Sequence, residues 1–405
     1  MSVVLDLNDQ ALNLYRDGQL IASSPGYALA QGSVAQFGAE AAAQSRLHPV
    51  STNNEFWYRL SMDPLSRPFA NFRHYADMAH AHLAQLAGIC DFEGPVALTV
   101  PGSYSREQLG ILSGIIRHSP FTVRAMADSG LVAAAAMAPQ HQHLVIVDMQ
   151  LHQSVLTLVS AGDGRLRRDK VVVVNGIGSS SLSNTIVQTV NDAFIAQCRF
   201  NPQHSAQWEQ QLYNDLPGWL AAIRAGATEI KVEIATDRAR HQAAILVADM
   251  QSDLMPALGK LDQQLQSLCQ FTSNVVPVIA SARAALIPGL LQHIGASRET
   301  VEGEQMARVC AQLANDVTDG SASVPYITSI RLDQASAADT AARDPATHLL
   351  PATHLLIDGY AWPLATQEYL TREEVAGLLD RHSPGDTIER DGIRMQLIRV
   401  QHGVP

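Results

Sequence analysis

Two short apolar segments, each with an aspartate at its end, constrain the fold of this chain most strongly. Residues 3–7 form the first segment, which carries Asp6, and the run LVIVDM forms the second, which carries Asp148. Another apolar segment follows each of them at the distance typical of a β-hairpin. We therefore predict two units with the same strand-to-hairpin start, one at the beginning of the chain and one opening at His143.

Strands and helices alternate after the first hairpin. Residues 95–100 form a continuous apolar run, and residues 106–118 follow with helical character and Ser105 in position to cap the helix. Residues 121–126 are again strand-like, and residues 129–137 are an alanine-rich helix small enough to pack closely. Such alternation predicts an α/β domain.

Glycine and proline set two of the predicted helix boundaries. Apolar residues repeat at helical spacing over residues 72–87, and Gly88 is the predicted C-terminal stop. Residues 208–225 are also predicted to be helical, with an interruption near Pro217 because proline lacks a backbone N–H.

The C-terminal part of the chain differs in composition from the rest. Residues 333–347 are polar, rich in alanine and poor in strand formers, so we interpret them as a linker. Residues 348–405 contain several strand-like segments and predict a small β-rich module.

The composition argues against several classes of protein. The 405 residues carry 28 basic and 39 acidic side chains, a formal charge of -11, which disfavours nucleic-acid binding because phosphates need a basic face. The four cysteines are scattered without a CxxC pair, so neither a disulfide framework nor a metal site is expected. The N-terminus lacks the basic start of a signal peptide, and no apolar run reaches the roughly 18 residues of a membrane helix. We expect a soluble cytoplasmic protein without membrane insertion.

The order of these segments carries a family resemblance. The Asp6 strand is followed by VALTVPGSYSREQLGILSGII and RAMADSGLVAAAA, then by LVIVDMQLHQSVLTLV and NGIGSSSLSNTIV, and late in the chain by VVPVIASARAALIPGLLQHI. This layout resembles the actin-like ATPase superfamily, and most closely the nucleotide-binding domain of the seventy-kilodalton heat-shock chaperones. The resemblance covers roughly residues 1–330.

The resemblance implies an α/β fold with two lobes, of the actin-like (ribonuclease-H-like) type. Lobe I would span residues 1–142 and lobe II residues 143–332, each with a mixed sheet and helices on both faces. A subdomain at about residues 199–272 would be inserted in lobe II. The small β-rich module at 348–405 would follow the linker.

Members of that family hold the nucleotide phosphates with two hairpin loops that read approximately DLGTT and DLGGGT. The corresponding loops here are DLNDQ, which begins at Asp6, and DMQLHQ, which begins at Asp148. Both aspartates stand where the family orients magnesium and water, but Asn8 and Gln150 replace phosphate-facing glycines. Because glycine lets backbone N–H groups approach a phosphate, the larger side chains should occupy the space that a phosphate needs. His152 is expected to fill the vacant cleft.

Two further motifs are present in altered form. Asp128 falls where the family has a catalytic glutamate, and the sequence also places it as the N-cap of the helix that follows. The NGIGSSS loop, with Gly176, Gly178 and Ser179, keeps the flexible, hydroxyl-rich character that suits contact with a ligand.

The family's adenosine loop, a Gly-Gly pair after a strand, reads Ala280-Ser281 here. Loss of the glycines at all three loops favours a pseudo-ATPase without a cofactor, which would use the fold as a scaffold or assembly platform for protein partners. The first alternative is a divergent chaperone-like ATPase that uses ATP with magnesium and retains Asp6, Asp128 and Asp148 as catalytic residues. The second alternative is an actin-like homodimer or filament subunit.

Overall fold

The computed structural model of the chain describes residues 2–137, 141–272, 276–297, 299–315 and 324–331, together with the backbone of four strands between residues 354 and 398. The chain divides into two compact units, Met1–Thr340 and Ala341–Pro405. The predicted linker at 333–347 lies outside the described residues.

The described residues up to 137 form short strands and helices in alternation. Their bounds are β1 (Val3–Asp6), β2 (Leu12–Arg16), β3 (Gln19–Ser24), β4 (Ala28–Gln31), β5 (Val34–Phe37), α1 (Ala39–Ala42), a 3₁₀ turn (Pro49–Ser51), β6 (Thr52–Asn53), β7 (Pro64–Phe69), β8 (Phe72–His74), α2 (Tyr75–Cys90), β9 (Gly94–Val100), α3 (Arg106–Arg117), β10 (Phe121–Asp128) and α4 (Ser129–Ala136).

The second half of the same unit opens with a long meander and continues with longer helices. Its bounds are β11 (His143–Met149), β12 (Gln153–Gly162), β13 (Arg165–Asn175), α5 (Ser179–Cys198), a 3₁₀ turn (Pro202–His204), α6 (Ala206–Arg224), β14 (Glu229–Ala235), β15 (Arg240–Leu246), α7 (Val247–Cys269), β16 (Val278–Ser281), a 3₁₀ turn (Ala284–Leu286), α8 (Leu290–His293), β17 (Thr300–Val301), α9 (Gly303–Asn315), β18 (Tyr326–Ile327) and β19 (Ser329–Arg331).

Two six-stranded sheets share most of their topology. Sheet 1 has the order β18-β10-β9-β1-β2-β3, and sheet 2 has the order β17-β16-β11-β12-β13-β19. In each sheet an antiparallel meander is joined to two parallel strands: β1-β2-β3 with β9 and β10, and β11-β12-β13 with β16 and β17. The last two short strands tie the sheets together, since β18 pairs with sheet 1 and β19 with sheet 2.

Helices α4 and α9 lie in a core that both sheets share. Side chains alternate along each strand, so Val4 of β1 and Ile146 of β11 point into this shared core, while their neighbours point to the outer faces. The alanines of α4 allow close packing, and at Gly130 an added Cβ would lie 2.6 Å from Cβ of Thr157. The predicted close-packing alanine helix is confirmed, and it holds the two sheets near each other.

The outer faces have separate cores. Helices α2 and α3 cover sheet 1, whereas α5, α6 and α7 pack with sheet 2 and with the separate two-stranded sheet β14-β15. The residues of the predicted inserted subdomain, about 199–272, thus contain α6, α7 and this small sheet.

Two predicted helix boundaries were wrong. Helix α2 runs past Gly88 to Cys90 and ends at Asp91, whose φ of 44° lies in the left-handed region that aspartate tolerates. Helix α6 continues through Pro217 without a break. The buried side chains of Leu216 and Trp219 anchor this part of α6, so packing compensates for the hydrogen bond that proline removes.

The second compact unit contains a four-stranded antiparallel sheet of order β21-β20-β23-β22. Its strands are β20 (His354–Ile357), β21 (Tyr360–Pro363), β22 (Thr387–Arg390) and β23 (Ile393–Ile398). The β-rich character predicted for this part of the chain is confirmed in these segments. Across all described residues, no helix combines the length and the apolar character that crossing a membrane requires.

Candidate functional site

The two aspartates of the hairpin motifs lie at the ends of strands β1 and β11, which belong to different sheets, and both face one arginine. Asp6 is the last residue of β1 and Asp148 lies one residue before the end of β11, and both are buried. Strand β16 runs parallel to β11, with Ala280 opposite Val147, so the loop after β16 leaves the sheet beside Asp148. Arg283 is in that loop.

The guanidinium of Arg283 bridges both carboxylates. Its Nη2 donates to Asp6 Oδ2 at 2.6 Å, and its Nε lies 3.4 Å from Asp148 Oδ1. Burial alone would lower the pKa of Arg283, but the negative charges of Asp6 and Asp148 raise it above the ordinary value. The cluster therefore contains a permanently charged cation between two carboxylates.

Protein groups also occupy the other oxygens of these carboxylates. Thr99 Oγ1 donates to Asp6 Oδ1 at 2.6 Å, from the position directly opposite Asp6 in the pairing of β1 with β9. Asn8 Nδ2 donates to Asp148 Oδ2 at 3.2 Å. Three of the four carboxylate oxygens thus accept a hydrogen bond, whereas Asp148 Oδ1 has only the 3.4 Å ion pair with Arg283 and no hydrogen-bond partner among the described residues.

The first hairpin loop docks onto the second. Asn8 Nδ2 also donates to the backbone oxygen of Met149 at 3.1 Å, and Asp9 Oδ1 accepts from the backbone N–H of Leu151 at 2.7 Å. Burial raises the pKa of Asp9 to about 6, although the N–H of Leu151 and nearby His152 oppose the shift. Asp9 Oδ2 has no hydrogen-bond partner among the described residues. The first hairpin loop therefore forms a contact between two parts of the same chain.

The second hairpin loop occupies the N-terminus of α5. The backbone oxygens of Gln150 and Leu151 accept from the N–H groups of Ser179 and Ser180 at 2.8 and 2.9 Å. The first N–H groups of a helix are otherwise available to an anion, so this contact removes donors that a phosphate would use. The NGIGSSS loop, identified from sequence as a ligand contact, here packs on the hairpin.

Glycine is required at one position of this loop for the close approach. A Cβ at Gly178 would collide with the backbone of Gln153 and would lie 2.5 Å from the oxygen of Leu151. Gly176 has a φ of 76°, which favours glycine at this turn. The backbone conformation at Gly176 and the close packing at Gly178 therefore explain why glycine occurs at these two positions, without a ligand.

The side chains that replace glycine in the second loop have protein partners. Gln150 Oε1 accepts from Gln153 Nε2 at 2.6 Å, and its Nε2 is 3.5 Å from Ser103 Oγ. The ring of His152 lies 2.8 Å from the backbone oxygen of Asn54 through Nε2. These side chains stand in the region where the two hairpins meet.

Ala280 and Ser281 support the arginine loop. Ala280 is fully buried in β16, and Ser281 Oγ accepts from the backbone N–H of Ala284 at 3.3 Å. The N–H of Ala282 donates to Val301 of the adjacent strand at 2.9 Å. This short network fixes the turn that directs Arg283 toward the aspartates.

Asp128 belongs to a different cluster. Its Oδ1 accepts from the backbone N–H of Leu131 at 2.9 Å, so the predicted N-cap of α4 is confirmed. Its Oδ2 accepts from Arg168 Nη1 at 2.7 Å and from the Tyr326 hydroxyl at 3.2 Å. Asp6 and Asp148 therefore meet at Arg283, whereas Asp128 is paired with another arginine.

The residues present do not fit magnesium with a polyphosphate. A metal between Asp6 and Asp148 would compete with the Arg283 guanidinium, and the donors at the start of α5 are already bonded to Gln150 and Leu151. Within the described part of the chain, no three His, Cys, Asp or Glu side chains are grouped as metal ligands. The arrangement is suited to holding the two sheets together through buried, paired charges.

Sequence reasoning missed the role of Arg283 and Thr99. In the sequence, Arg283 stands in the altered adenosine loop. The signal that could have identified it is a cation within a segment of apolar and small residues, VVPVIASARAALIPG. Thr99 lies inside the predicted strand at 95–100, where its hydroxyl has no distinguishing pattern.

Neither a protein-family model nor a curated protein sequence matches this chain.

Proposed function

We propose that the chain is an actin-like, heat-shock-chaperone-like pseudo-ATPase that acts as a scaffold or assembly factor for protein partners. The two sheets support this proposal, because both join an antiparallel meander to two parallel strands, with helices on both faces. That mixed architecture, used twice, is what the sequence resemblance implies for the two lobes.

The observation that carries the proposal is the bridge from Arg283 to Asp6 and Asp148. A side-chain cation tethered to the protein takes the place where the family would have a mobile metal. Nucleotide entry would require this guanidinium to leave and would leave a buried charge unpaired. Breaking a buried pair in this way costs about 3–5 kcal/mol, which weakens binding by roughly two to four orders of magnitude.

A scaffold that does not hydrolyse nucleotide must keep its two sheets in a fixed relative position without help from a ligand. The hydrogen bonds that Asn8 donates to Asp148 and Met149, the one that Asp9 accepts from Leu151, and the Arg283 bridge provide that relation without a ligand. The proposed scaffold would therefore present one surface to its protein partners irrespective of ATP concentration.

Isothermal titration of the full chain with Mg-ATP tests the proposal. We expect no binding with a dissociation constant below about 1 mM, and no thermal stabilisation by the nucleotide. A low-micromolar dissociation constant that is lost in Asp148→Ala would instead favour the divergent ATPase. In that case ligand at about 100 times its dissociation constant would stabilise the chain by about 2.7 kcal/mol, a readily visible shift.

Two further measurements address the partner and the homodimer. Affinity purification of the full chain from its native cells, with and without added ATP, should recover the same protein partner in both cases. Sedimentation of the chain with and without Mg-ATP tests self-association, and nucleotide-dependent assembly would favour the actin-like filament alternative.

A further inference from the structure

A cavity of about 320 Å³ lies at one end of sheet 2, where β11 begins, whereas Asp148 of the Arg283 cluster lies near the other end of β11. Every residue that lines this cavity belongs to strands β11, β12, β13 or β19, or to a segment directly beside one of them. The cavity is therefore a surface feature of sheet 2 and not part of the contact between the two sheets.

Two rows of polar side chains cross sheet 2 at this end. In one row, Arg167 of β13 lies opposite Ser160 of β12 and Ser329 of β19. In the next row, Arg165 of β13 lies opposite Arg331 of β19. Residues opposite each other in a sheet carry their side chains on one face, as do residues two apart along a strand. These five residues, the polar end of sheet 2, therefore share one face.

The polar end of sheet 2 lies beyond the helices that cover the outer face of this sheet. Leu166, between Arg165 and Arg167, is fully buried in the shared core, so the two arginines point to the outer face. The apolar core beneath helices α5, α6 and α7 includes Leu158 of β12, two residues before Ser160. Both arginines are exposed, and 71% of the Arg167 side chain is accessible to water. A partner can therefore reach both guanidinium groups.

Each of these two arginines is fixed through its Nε. Arg165 Nε donates to Ser329 Oγ at 2.9 Å, and Arg167 Nε donates to Asp169 Oδ1 at 3.1 Å. Among the described residues, the terminal nitrogens Nη1 and Nη2 of both side chains have no hydrogen-bond partner. Because guanidinium nitrogens bind a carboxylate in a bidentate manner, two oriented positions for carboxylates lie side by side.

The charges at this end of the sheet favour an anionic partner. Asp169 lines the cavity but is already in an ion pair with Arg167. Asp163, in the turn between β12 and β13, also lines the cavity and has no ion pair among the described residues. The three arginines of the polar end outnumber these two aspartates, whereas the whole chain has a formal charge of -11. An acidic segment would therefore be attracted to this place and repelled by the net charge of the rest of the chain.

The spacing of Arg165 and Arg167 matches an extended peptide. Two residues along a strand span about 6.6 Å, since each residue adds about 3.3 Å. An extended segment with acidic residues at alternate positions presents its carboxylates at the same spacing. Two linked carboxylates gain from both guanidinium groups at once, whereas a small anion held by one of them does not.

We propose that the polar end of sheet 2 docks an extended acidic segment of a protein partner, with Arg165 and Arg167 each binding one carboxylate. The proposal rests on the scaffold function, because it names the class of partner that the scaffold would bind. Titration with Mg-ATP tests the scaffold function and titration with acidic peptides tests the docking site, so either of the two can fail without the other.

Calorimetric titration of the full chain with capped synthetic peptides tests the docking site. The probe peptide alternates glutamate with threonine, a matched peptide carries glutamine in place of glutamate, and inorganic phosphate serves as the small anion. We expect the glutamate peptide to bind with a dissociation constant below about 1 mM, and the glutamine peptide to bind at least about tenfold more weakly.

Salt should weaken this binding, because exposed charges are screened. Raising sodium chloride from about 50 mM to about 500 mM should increase the dissociation constant of the glutamate peptide at least about fivefold. Equal binding of the glutamate and glutamine peptides, or inorganic phosphate that binds as tightly as the glutamate peptide, would overturn the proposal.

Variants assign the binding to the polar end of sheet 2. Arg165→Gln and Arg167→Gln should each weaken binding of the glutamate peptide about threefold to tenfold. Arg240→Gln is the matched control, because it changes an exposed arginine of another hairpin, and it should leave the affinity unchanged. Asp163→Asn removes a carboxylate that repels the peptide and should make binding tighter. All four positions are exposed, so we expect each variant to fold.

Reversal of charge gives the sharpest test. Arg165→Glu combined with Arg167→Glu should abolish binding of the glutamate peptide and create affinity for a matched lysine peptide. Affinity for the glutamate peptide that is the same in the native chain and in this double variant would contradict the assignment of the docking site.

Discussion

Arg283 donates to Asp6 at 2.6 Å although the two residues are 277 positions apart in the sequence. The same guanidinium reaches Asp148, which is why the ends of β1 and β11 are fixed relative to the loop after β16. The Arg283 side chain is largely but not wholly removed from water, with 15% of it exposed, and its two carboxylate partners hold it there.

Substitution of Arg283 should destabilise the chain strongly. Arg283→Ala leaves two buried carboxylates without their cation, and we expect the free energy of unfolding in urea to fall by about 3–5 kcal/mol. Arg240→Ala is the matched control, because Arg240 pairs with Glu233 at 2.9 Å on the surface. The control should cost at most about 1 kcal/mol, and equal losses in both variants would contradict a special role for Arg283.

Gly178 should tolerate no side chain. Gly178→Ala places a Cβ against the hairpin backbone at Gln153, and we expect a loss of about 2–3 kcal/mol in unfolding free energy from the resulting shift of the loop. Gly110→Ala is the control, since a Cβ at Gly110 in α3 meets nothing within 4 Å. That variant should be neutral or more stable, because alanine favours helix more than glycine does. An unchanged free energy of unfolding in Gly178→Ala would show that the contact between the hairpin and the start of α5 does not require glycine at this position.

His82 should make the chain sensitive to acid. It is fully buried, with Nε2 at 2.7 Å from Ser24 Oγ and Nδ1 accepting from Trp57 Nε1 at 3.0 Å, and burial lowers its pKa from 6.5 to about 3. As the pH falls, the unfolded chain takes up this proton near pH 6.5, whereas the folded chain takes it up only near pH 3. The contribution of neutral His82 to the free energy of unfolding is therefore fully present above about pH 6.5 and is lost as the pH drops from 6.5 toward 3.

The slope of unfolding free energy against pH measures this effect. One proton corresponds to about 1.4 kcal/mol per pH unit, so His82→Leu should reduce the slope between pH 6 and pH 4 by about that amount. His48→Gln, at an exposed position, is the control and should leave the slope unchanged. An unaltered slope in His82→Leu would mean that the buried histidine is not the acid-sensitive group.

Asp9 should have the opposite dependence on pH. Burial raises the pKa of Asp9 from 3.8 to about 6, so its contribution to stability is complete below about pH 3.8 and is lost as the pH rises through 6. Asp9→Asn keeps an oxygen that can accept from the N–H of Leu151 and removes the charge. We expect this variant to be more stable than the native chain by about 1–3 kcal/mol at pH 8, with a smaller difference at pH 4, as measured by urea unfolding. A variant less stable at pH 8 would show that the Asp9 carboxylate is needed in its charged form.

Local signals predicted much of the fold. The apolar runs that end in Asp6 and Asp148 became β1 and β11, and Asp128 became the predicted N-cap of α4 because an N-cap depends on a side chain and the next turn alone. The end of α2 was predicted wrongly because Asp91, rather than Gly88, adopts the left-handed conformation after the helix. The continuity of α6 was also missed, since packing of its buried side chains overrode the local effect of Pro217.

The candidate site depends on contacts that sequence spacing does not contain. Asn8 meets Met149, Asp9 meets Leu151, and Arg283 meets Asp6, each across more than a hundred residues of chain. Single-sequence patterns report on neighbours along one helix or strand, so they identified the aspartates and the altered loops but could not pair them with their cation.

A crystal structure of the chain grown with magnesium and a non-hydrolysable ATP analogue would measure the Arg283 Nη2 to Asp6 Oδ2 distance in the presence of ligand. We predict that the distance stays near 2.6 Å and that neither metal nor triphosphate density lies between Asp6 and Asp148. Density for a magnesium ion and an intact triphosphate at that place, with Arg283 moved away from both carboxylates, would contradict the proposed pseudo-ATPase.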